Sequence, residues 1–388
     1  MTDVTNSKKV LFSSLIFVLI LSLLCITPTA LANGVKEPER KIVGYYTSWS
    51  AYSGYTLDKV DATKLTHINY SFANINEELK IVLGDPYIDL VNLQKIRELK
   101  IINPNLKVLV SVGGWSWSDK FSDVALTDES RTTFANSCID FMREYGLDGI
   151  DIDWEFPVSG GLSDNIYRQE DKENFTLLLK ELRETFDTQG QIDNKSYILT
   201  FAGGASSMFT DNIELEEIHK YVDFANIMSY NIHGSWDKYT DFNSPLYTNN
   251  ESLNNIKLSV DESMKIWINR GFPKEKIVMG ISFYGKQYNN VNPWNNGLYQ
   301  LYDGNSTIGY GDIVYKYLDK QGTNRYFHYG SLMPWIYDGT SFITYEDEES
   351  ISYKADYIKL NELGGAMIWE VSGDFNGLLL NQLYNGLK

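Results

Sequence analysis

The sequence predicts a (β/α)8 barrel carrying a small α+β insertion between its seventh and eighth strands. Three observations lead there. Strand-forming runs alternate with helical runs from Ile42 to Leu387, the order that builds a parallel sheet with crossover helices. Eight strands can be read in that order. The acids, tyrosines and tryptophans that packing alone explains poorly gather at the C-terminal ends of those strands, where a barrel collects its functional loops.

The first strand is expected at residues 42–46 and the second at 65–73. A helix over 88–102 stops before Pro104. The third strand, 107–112, runs into the turn Gly113-Gly114-Trp115. Asp128 opens a helix to Tyr145, with Gly146 as its stop. The fourth strand lies in the stretch from Leu147 to Pro157, Leu-Asp-Gly-Ile-Asp-Ile-Asp-Trp-Glu-Phe-Pro. A Gly/Ser loop over 159–164 leads to a helix over 170–186. The fifth strand is 197–202 and the sixth 222–230, with a short helix over 212–220 between them. A long helical pattern covers 249–270 and closes on Gly271 and Pro273. The seventh strand is 276–282. Residues 286–347 hold Trp294, Trp335 and many tyrosines, with no single period, and exceed a plain loop; they form the expected insertion. A helix over 348–363, the eighth strand over 365–370 and a helix over 375–387 complete the barrel.

Residues 1–32 read as a secretory signal peptide. Lys8 and Lys9 precede an apolar run over 10–26, and Ala30-Leu31-Ala32 is a small-residue cleavage site. The run nears the length of a membrane-spanning helix, so an uncut anchor is the alternative; Pro28 and the cleavage site favour removal. The mature domain is then 33–388, a secreted monomer with no stable membrane association. Cys25 leaves with the signal and Cys138 stands alone, so stability has to come from a large core rather than disulfides. The net charge of −17 argues against nucleic acid or anionic membrane as partner. His67, His219, His233 and His328 are scattered without ligand spacing, and no Gly-rich phosphate loop precedes a helix; no metal and no cofactor is expected. Aromatics make up 14% of the chain, which beside the acidity suggests a stacking groove for sugars.

Side chains alternate along a strand, so Asp151, Asp153 and Glu155 share one face of the fourth, roughly 6–7 Å apart, while Ile150, Ile152 and Trp154 share the other. Like charges that close are costly to bury, and a solvated strand would more often mix its acids with lysines. The row therefore reads as chemistry, with Asp148, on the opposite parity, as a structural acid. Tyr45 ends the first strand, Phe72 the second, and Ser111 with Gly113-Gly114-Trp115 the third. Met228, Tyr230 and Asn231 end the sixth, Trp236 lies just beyond, Tyr284 follows the seventh, and Trp369-Glu370 end the eighth.

With these motifs the chain resembles the chitinases of glycoside hydrolase family 18, in the subfamily with a chitin-insertion domain. Asp148-x-x-Asp151-x-Asp153-x-Glu155, Ser111-x-Gly113-Gly114-Trp115, Met228-x-Tyr230 and Trp369-Glu370 carry the likeness, as does Tyr345-Glu346-Asp347-Glu348-Glu349-Ser350-Ile351. The resemblance implies hydrolysis of β-1,4 bonds in chitin and N-acetylglucosamine oligomers by a retaining mechanism assisted by the substrate's acetamido group. It makes Glu155 the general acid and base, Asp153 the partner of the acetamido nitrogen, and Asp151 its support, sharing a proton with Asp153. Tyr230 would aim the acetamido oxygen and Trp369 would form the floor under the sugar. Tyr45 and Ser111 would brace Asp151, Met228 would pack beside the acetamido pocket, and Trp115 and Trp236 would stack on further sugars. Phe72, Tyr284 and Arg325, the last from the insertion, complete the expected binding set.

One departure stands out. The family usually has Asp after Met-x-Tyr, and here it is Asn231, which keeps the size and loses the charge. A milder one is Lys286, where Arg commonly follows Tyr-Gly. Two other functions stay open at this stage: an endo-β-N-acetylglucosaminidase acting on glycoprotein glycans, and a chitin-binding lectin, which would typically lack Glu155.

Overall fold

The computed structural model describes residues 40–318 and 320–388; the expected signal peptide lies outside them. Strand β1, Lys41–Thr47, leads by short 3-10 turns to β2, His67–Ile75, and a brief β3, Ile81–Leu83, folds back antiparallel on it. Helix α1, Pro86–Ile102, returns the chain to β4, Lys107–Gly113. Helices α2, Phe121–Leu126, and α3, Asp128–Tyr145, precede β5, Gly149–Asp153. Helix α4, Asp171–Asp193, leads to β6, Ile198–Gly204. The short α5, Ser207–Asp211, and α6, Leu215–Ile218, precede β7, Phe224–Met228. Helix α7, Val260–Asn269, leads to β8, Ile277–Ser282. The barrel ends with β14, Gly365–Trp369, and the order β1-β14-β8-β7-β6-β5-β4-β2 closes through a β1–β2 pairing. Every pair in that ring is parallel, so all eight strand ends open on one face. This is a (β/α)8 barrel.

Between β8 and β14 a second sheet forms from β9, Tyr284–Tyr288, β10, Asn305–Gly309, β11, Asn324–His328, β12, Met333–Tyr337, and β13, Phe342–Thr344. It is antiparallel throughout, in the order β10-β9-β13-β12-β11, and has its own core around Tyr288, Trp335 and Phe342. The helix α8, Tyr310–Lys316, sits within it, and α9, Glu348–Leu360, and α10, Leu378–Leu387, flank β14.

Local chemistry accounts for the best-defined elements. Helix α3 starts on a capping box between Thr127 and Ser130 and stops at Gly146, whose left-handed φ of 71° suits a residue without Cβ. The outward side chains of β5 meet the helices: Trp154 is buried, stacked on Phe121 at 5.5 Å and edge-on to Phe175 at 5.6 Å. One strand thus anchors itself with one parity and leaves the other for the barrel interior.

The structure departs from the sequence reading in several places: the helix expected over 212–220 is only Leu215–Ile218, preceded by Ser207–Asp211, and the short helix Phe121–Leu126 was not foreseen. The helix expected over 249–270 is only Val260–Asn269, because Ser252 and Asn254 spend their side chains on Asp241 instead of continuing a helix. The helix expected to stop at 186 runs on to Asp193. The hairpin strand Ile81–Leu83 was not foreseen, since three residues carry no period. Strand β5 ends at Asp153, so Glu155 stands on the loop beyond it.

Trp154→Ala is expected to destabilise the fold by about 3–5 kcal/mol, the usual cost of emptying a buried tryptophan site. A denaturant midpoint lowered at unchanged slope would show it.

Candidate active site

The site is built around a charge in the middle of the barrel. Asp151 is fully buried, and its carboxylate accepts four hydrogen bonds. Tyr45 and Ser111 each donate to Oδ2 at 2.7 Å, while Thr200 at 2.6 Å and Asn226 at 3.2 Å donate to Oδ1. The donors come from β1, β4, β6 and β7. Burial leaves the pKa of Asp151 raised above the ordinary carboxylate value, with the four donors acting against that rise. The four donors fill the acceptor positions of the Asp151 carboxylate and offset part of the cost of burying it. Asp151 and Asp153 stand next to each other on the inward face of the strand, and both hold a proton more tightly than a free carboxyl does.

One step along the strand, Asp153 is buried with an unpartnered Oδ1. Burial, then the charges of Glu155 and Asp151, push its pKa well up. Glu155 is half-buried on the loop after β5, and burial pushes its pKa up to about 7. The two acids titrate as a pair. The backbone of Glu155 is held from both sides: its N–H donates to Ser118 Oγ at 2.9 Å, and its carbonyl accepts from Asn165 at 2.9 Å. Gly113 has φ 99°, and a Cβ there would meet the Asp153 carbonyl at 2.5 Å, so a glycine is required for this close approach.

Above these acids lies a cleft of about 570 Å³. Trp369 lies in its wall, stacked on Phe72 at 5.8 Å with Tyr45 at 5.5 Å. Phe72 reaches the cleft because a register shift leaves it unpaired in the β2–β4 ladder. Trp49 and Trp115, each half exposed, also line it. Met228, Tyr230 and Asn231 contribute from the end of β7. Tyr230 is buried, edge-on to Tyr284 at 6.1 Å, and its hydroxyl contacts Met367 Sδ at 3.8 Å. Asn231 has a left-handed φ of 53°, which a short amide side chain tolerates. The Tyr284 hydroxyl donates to Asn231 Oδ1 at 2.8 Å, which leaves the Asn231 NH2 as the group available to a ligand. The peptide bonds Ser71–Phe72, Glu155–Phe156 and Trp369–Glu370 are cis.

Residues 41–374 match the model of the glycosyl hydrolases family 18. The chain belongs to glycoside hydrolase family 18. It is 41% identical to Chitinase A1 of Niallia circulans over 88% of its own length, and spans 58% of that protein. Among solved structures it resembles chitinase ChiA74 from Bacillus thuringiensis, with a TM-score of 0.86 and 34% identity, covering 90% of this chain and 70% of that one. It also resembles a family 18 N-acetylglucosaminidase from Paenibacillus barengoltzii, with a TM-score of 0.81 and 38% identity over 90% of this chain and 100% of that one.

Within this family 18 barrel, most of the residues singled out from the sequence converge. Asp153, Glu155, Tyr45, Phe72, Trp115, Met228, Tyr230, Asn231 and Trp369 line the cleft, with Asp151, Ser111 and Tyr284 directly behind it. Two do not line it. Trp236 is exposed on the turn after β7. Arg325 is a correction: its guanidinium pairs with Asp347 at Nε, 2.8 Å, and with Glu349 at 2.8 Å, so it braces the start of α9 instead of reaching the cleft. Sequence reasoning missed Thr200, Asn226, Ser118 and Asn165. The first two had a signal, a polar residue at the inward parity of an otherwise apolar strand. The last two sit in loops and had none.

Because folding raises the proton affinity of Glu155 from a usual 4.5 to about 7, the folded chain binds more protons than the unfolded one between those values. Stability associated with this site is full below about 4.5 and is lost as pH rises through 7. Glu155→Gln is therefore expected to be more stable than the parent above pH 7, with the difference vanishing below pH 4.5. Thermal melts across pH 4–9 measure it.

Proposed function

We propose that this family 18 glycoside hydrolase is a secreted chitinase that cleaves β-1,4 linkages between N-acetylglucosamine units, with retention and with the substrate's acetamido oxygen as nucleophile. One observation carries the mechanism. Among the described residues the carboxylates lining the cleft are Asp153 and Glu155, both from one strand end, and the remaining walls are aromatic, aliphatic or amide. Hydrolysis by two protein carboxylates needs them on either side of the scissile bond, roughly 5–10 Å apart. That one-sided placement supports a nucleophile that arrives with the substrate, and an N-acetyl sugar brings one.

Glu155 holds a proton near neutral pH and donates it to the glycosidic oxygen as the bond to the anomeric carbon breaks. The acetamido oxygen bonds that carbon from the other face and gives a cyclic oxazolinium ion. Asp153, as a carboxylate, accepts the acetamido N–H and offsets the positive charge, while Asp151 behind it takes up the shared proton. The Tyr230 hydroxyl holds the acetamido oxygen in line, and Trp369 packs under the sugar ring. Glu155, now a carboxylate, takes a proton from water as that water attacks the anomeric carbon and reopens the ring. This restores both the retained configuration and the acid.

The names of Chitinase A1 and ChiA74 support chitin as substrate, as does an acidic, aromatic cleft suited to a neutral sugar chain. Residues 286–347 would be the chitin-insertion subdomain forming one wall. Secretion and monomeric action rest on the composition and on residues 1–32; no helix among the described residues is long and apolar enough to cross a membrane. A second reading, release of single N-acetylglucosamine units from chain ends, is favoured by the likeness to the N-acetylglucosaminidase.

A timed product profile on N-acetylglucosamine oligomers tests both. Glu155→Gln is expected to lose about 10²–10⁴-fold in kcat; equal hydrolysis by both proteins would remove Glu155 from its role. Mixed short oligomers mark internal cleavage, and monomer alone marks the second reading. Asn231→Asp is expected to keep activity and to move the basic limb of kcat/KM upward in pH, since an added carboxylate strengthens the hold of Glu155 on its proton. An unchanged pH profile would contradict that.

A further inference from the structure

We infer that Asn243 and Ser244 are positioning residues for Tyr230 and Asn231, held in place by the buried Lys354–Glu346 ion pair. The insertion root would then set the geometry of the reaction as well as walling the cleft. The inference rests on the chitin-cleaving reading above.

Tyr230 and Asn231 lie just past the end of β7, where no ladder hydrogen bond fixes the backbone. Their fixation comes from one dipeptide. Asn243 Oδ1 accepts the Asn231 N–H at 3.1 Å, and the Asn243 carbonyl accepts the Ile232 N–H at 2.9 Å. Ser244 Oγ donates to the Ser229 carbonyl at 2.9 Å. The bonds therefore bracket Tyr230 and hold Asn231 in its left-handed conformation. Asn243 and Ser244 are both fully buried, so each bond is dry.

The dipeptide is in turn clamped from the insertion side. Asn243 N–H donates to Thr344 Oγ1 at 3.1 Å, at the end of β13, and its Nδ2 donates to Ser282 at 3.0 Å. Lys354, on α9, donates to both the carbonyl and the hydroxyl of Ser244 at 2.8 Å and pairs with Glu346. Both charged side chains have 0% exposure. A buried pair is an expensive way to gain stability, and its best-attested use is fixing one arrangement among several. Here it fixes the carbonyl and hydroxyl that hold the β7 exit. Tyr284, at the first position of the insertion sheet, completes the clamp through its bond to Asn231 Oδ1.

The test uses Asn243→Ala, Asn243→Asp, which keeps the Oδ1 acceptor, and the neutral pair Lys354→Met with Glu346→Gln, which removes both buried charges together. Two readouts are taken well below the unfolding midpoint: oligomer hydrolysis, and amide exchange of the Asn231 N–H against that of β4. Asn243→Ala is expected to lower kcat about 10–100-fold with KM within about threefold, and to speed Asn231 exchange while β4 is unchanged. Asn243→Asp keeps the acceptor but buries a charge and drops the Nδ2 bond to Ser282, so it is expected to restore slow Asn231 exchange and to recover only part of kcat. The Lys354–Glu346 variant should show the Asn243→Ala pattern in weaker form. Unchanged kcat in Asn243→Ala, or a fall in melting temperature without a change in kcat or exchange, would overturn the inference. Faster Asn231 exchange in Asn243→Ala than in the parent, with a parent that cleaves no oligomer, would uphold the clamp and reject the chitinase reading.

Discussion

The structure depends on a carboxylate that would be ruinous to bury alone. Asp151 stands inside the barrel with no exposure, and four donors from four strands make its charge tolerable. Each donor is there only if its strand keeps register. A shift of one residue in β1, β4, β6 or β7 would turn a hydroxyl or amide away from the interior and leave the carboxylate short of a partner. The knot therefore couples the register of half the barrel to one site. Burial, and for Asp153 also the charges of Glu155 and Asp151, makes both of the next two acids keep their protons to higher pH than a free carboxyl would.

The same strand divides its labour by parity. Ile150, Ile152 and Trp154 pack outward against the helix layer, while Asp151 and Asp153 face the interior. Glu155 continues the inward row past the last ladder bond, and Ser118 and Asn165 replace the missing ladder on either side of it. The acid is thus held by backbone bonds and leaves its side chain free to exchange a proton with a ligand. The cost is borne in stability, because a row of acids in one small volume opposes its own ionisation.

The insertion sheet meets the barrel through polar, dry contacts and not through apolar packing alone. Its root shares hydrogen bonds with the exits of β7 and β8, beside Tyr230, Asn231 and Ser282. Arg325 belongs to that scaffold, tied to Asp347 and Glu349. A wall attached this way can set where side chains point inside the cleft. Asn231 is where this bears on chemistry, since a neutral amide is oriented there by Tyr284 instead of a titrating acid.

The sequence by itself determined the barrel, most strand limits within two residues, the cluster of acids and the aromatic strand ends. Those features are periodic or compositional, and a period of two on a strand can be read without neighbours. It also showed that Asp153 and Glu155 share a side and that Trp154 opposes them. Only the tertiary structure decided which polar residues meet. Thr200 and Asn226 are single polar letters in apolar strands, and their partner lies 49 and 75 residues away. Ser118 and Asn165 hold Glu155 from loops with no period at all. Residues 249–259 imitate a helix in sequence but form none, because their polar side chains bond to Asp241 and to nearby backbone, a choice local propensity does not reveal. Arg325 was expected at the cleft from the family resemblance; it pairs instead with Asp347, the cap of α9, and Glu349 in its first turn. Local patterns select elements, whereas pairing between distant polar groups is settled only when folding removes water from them and each must find a partner.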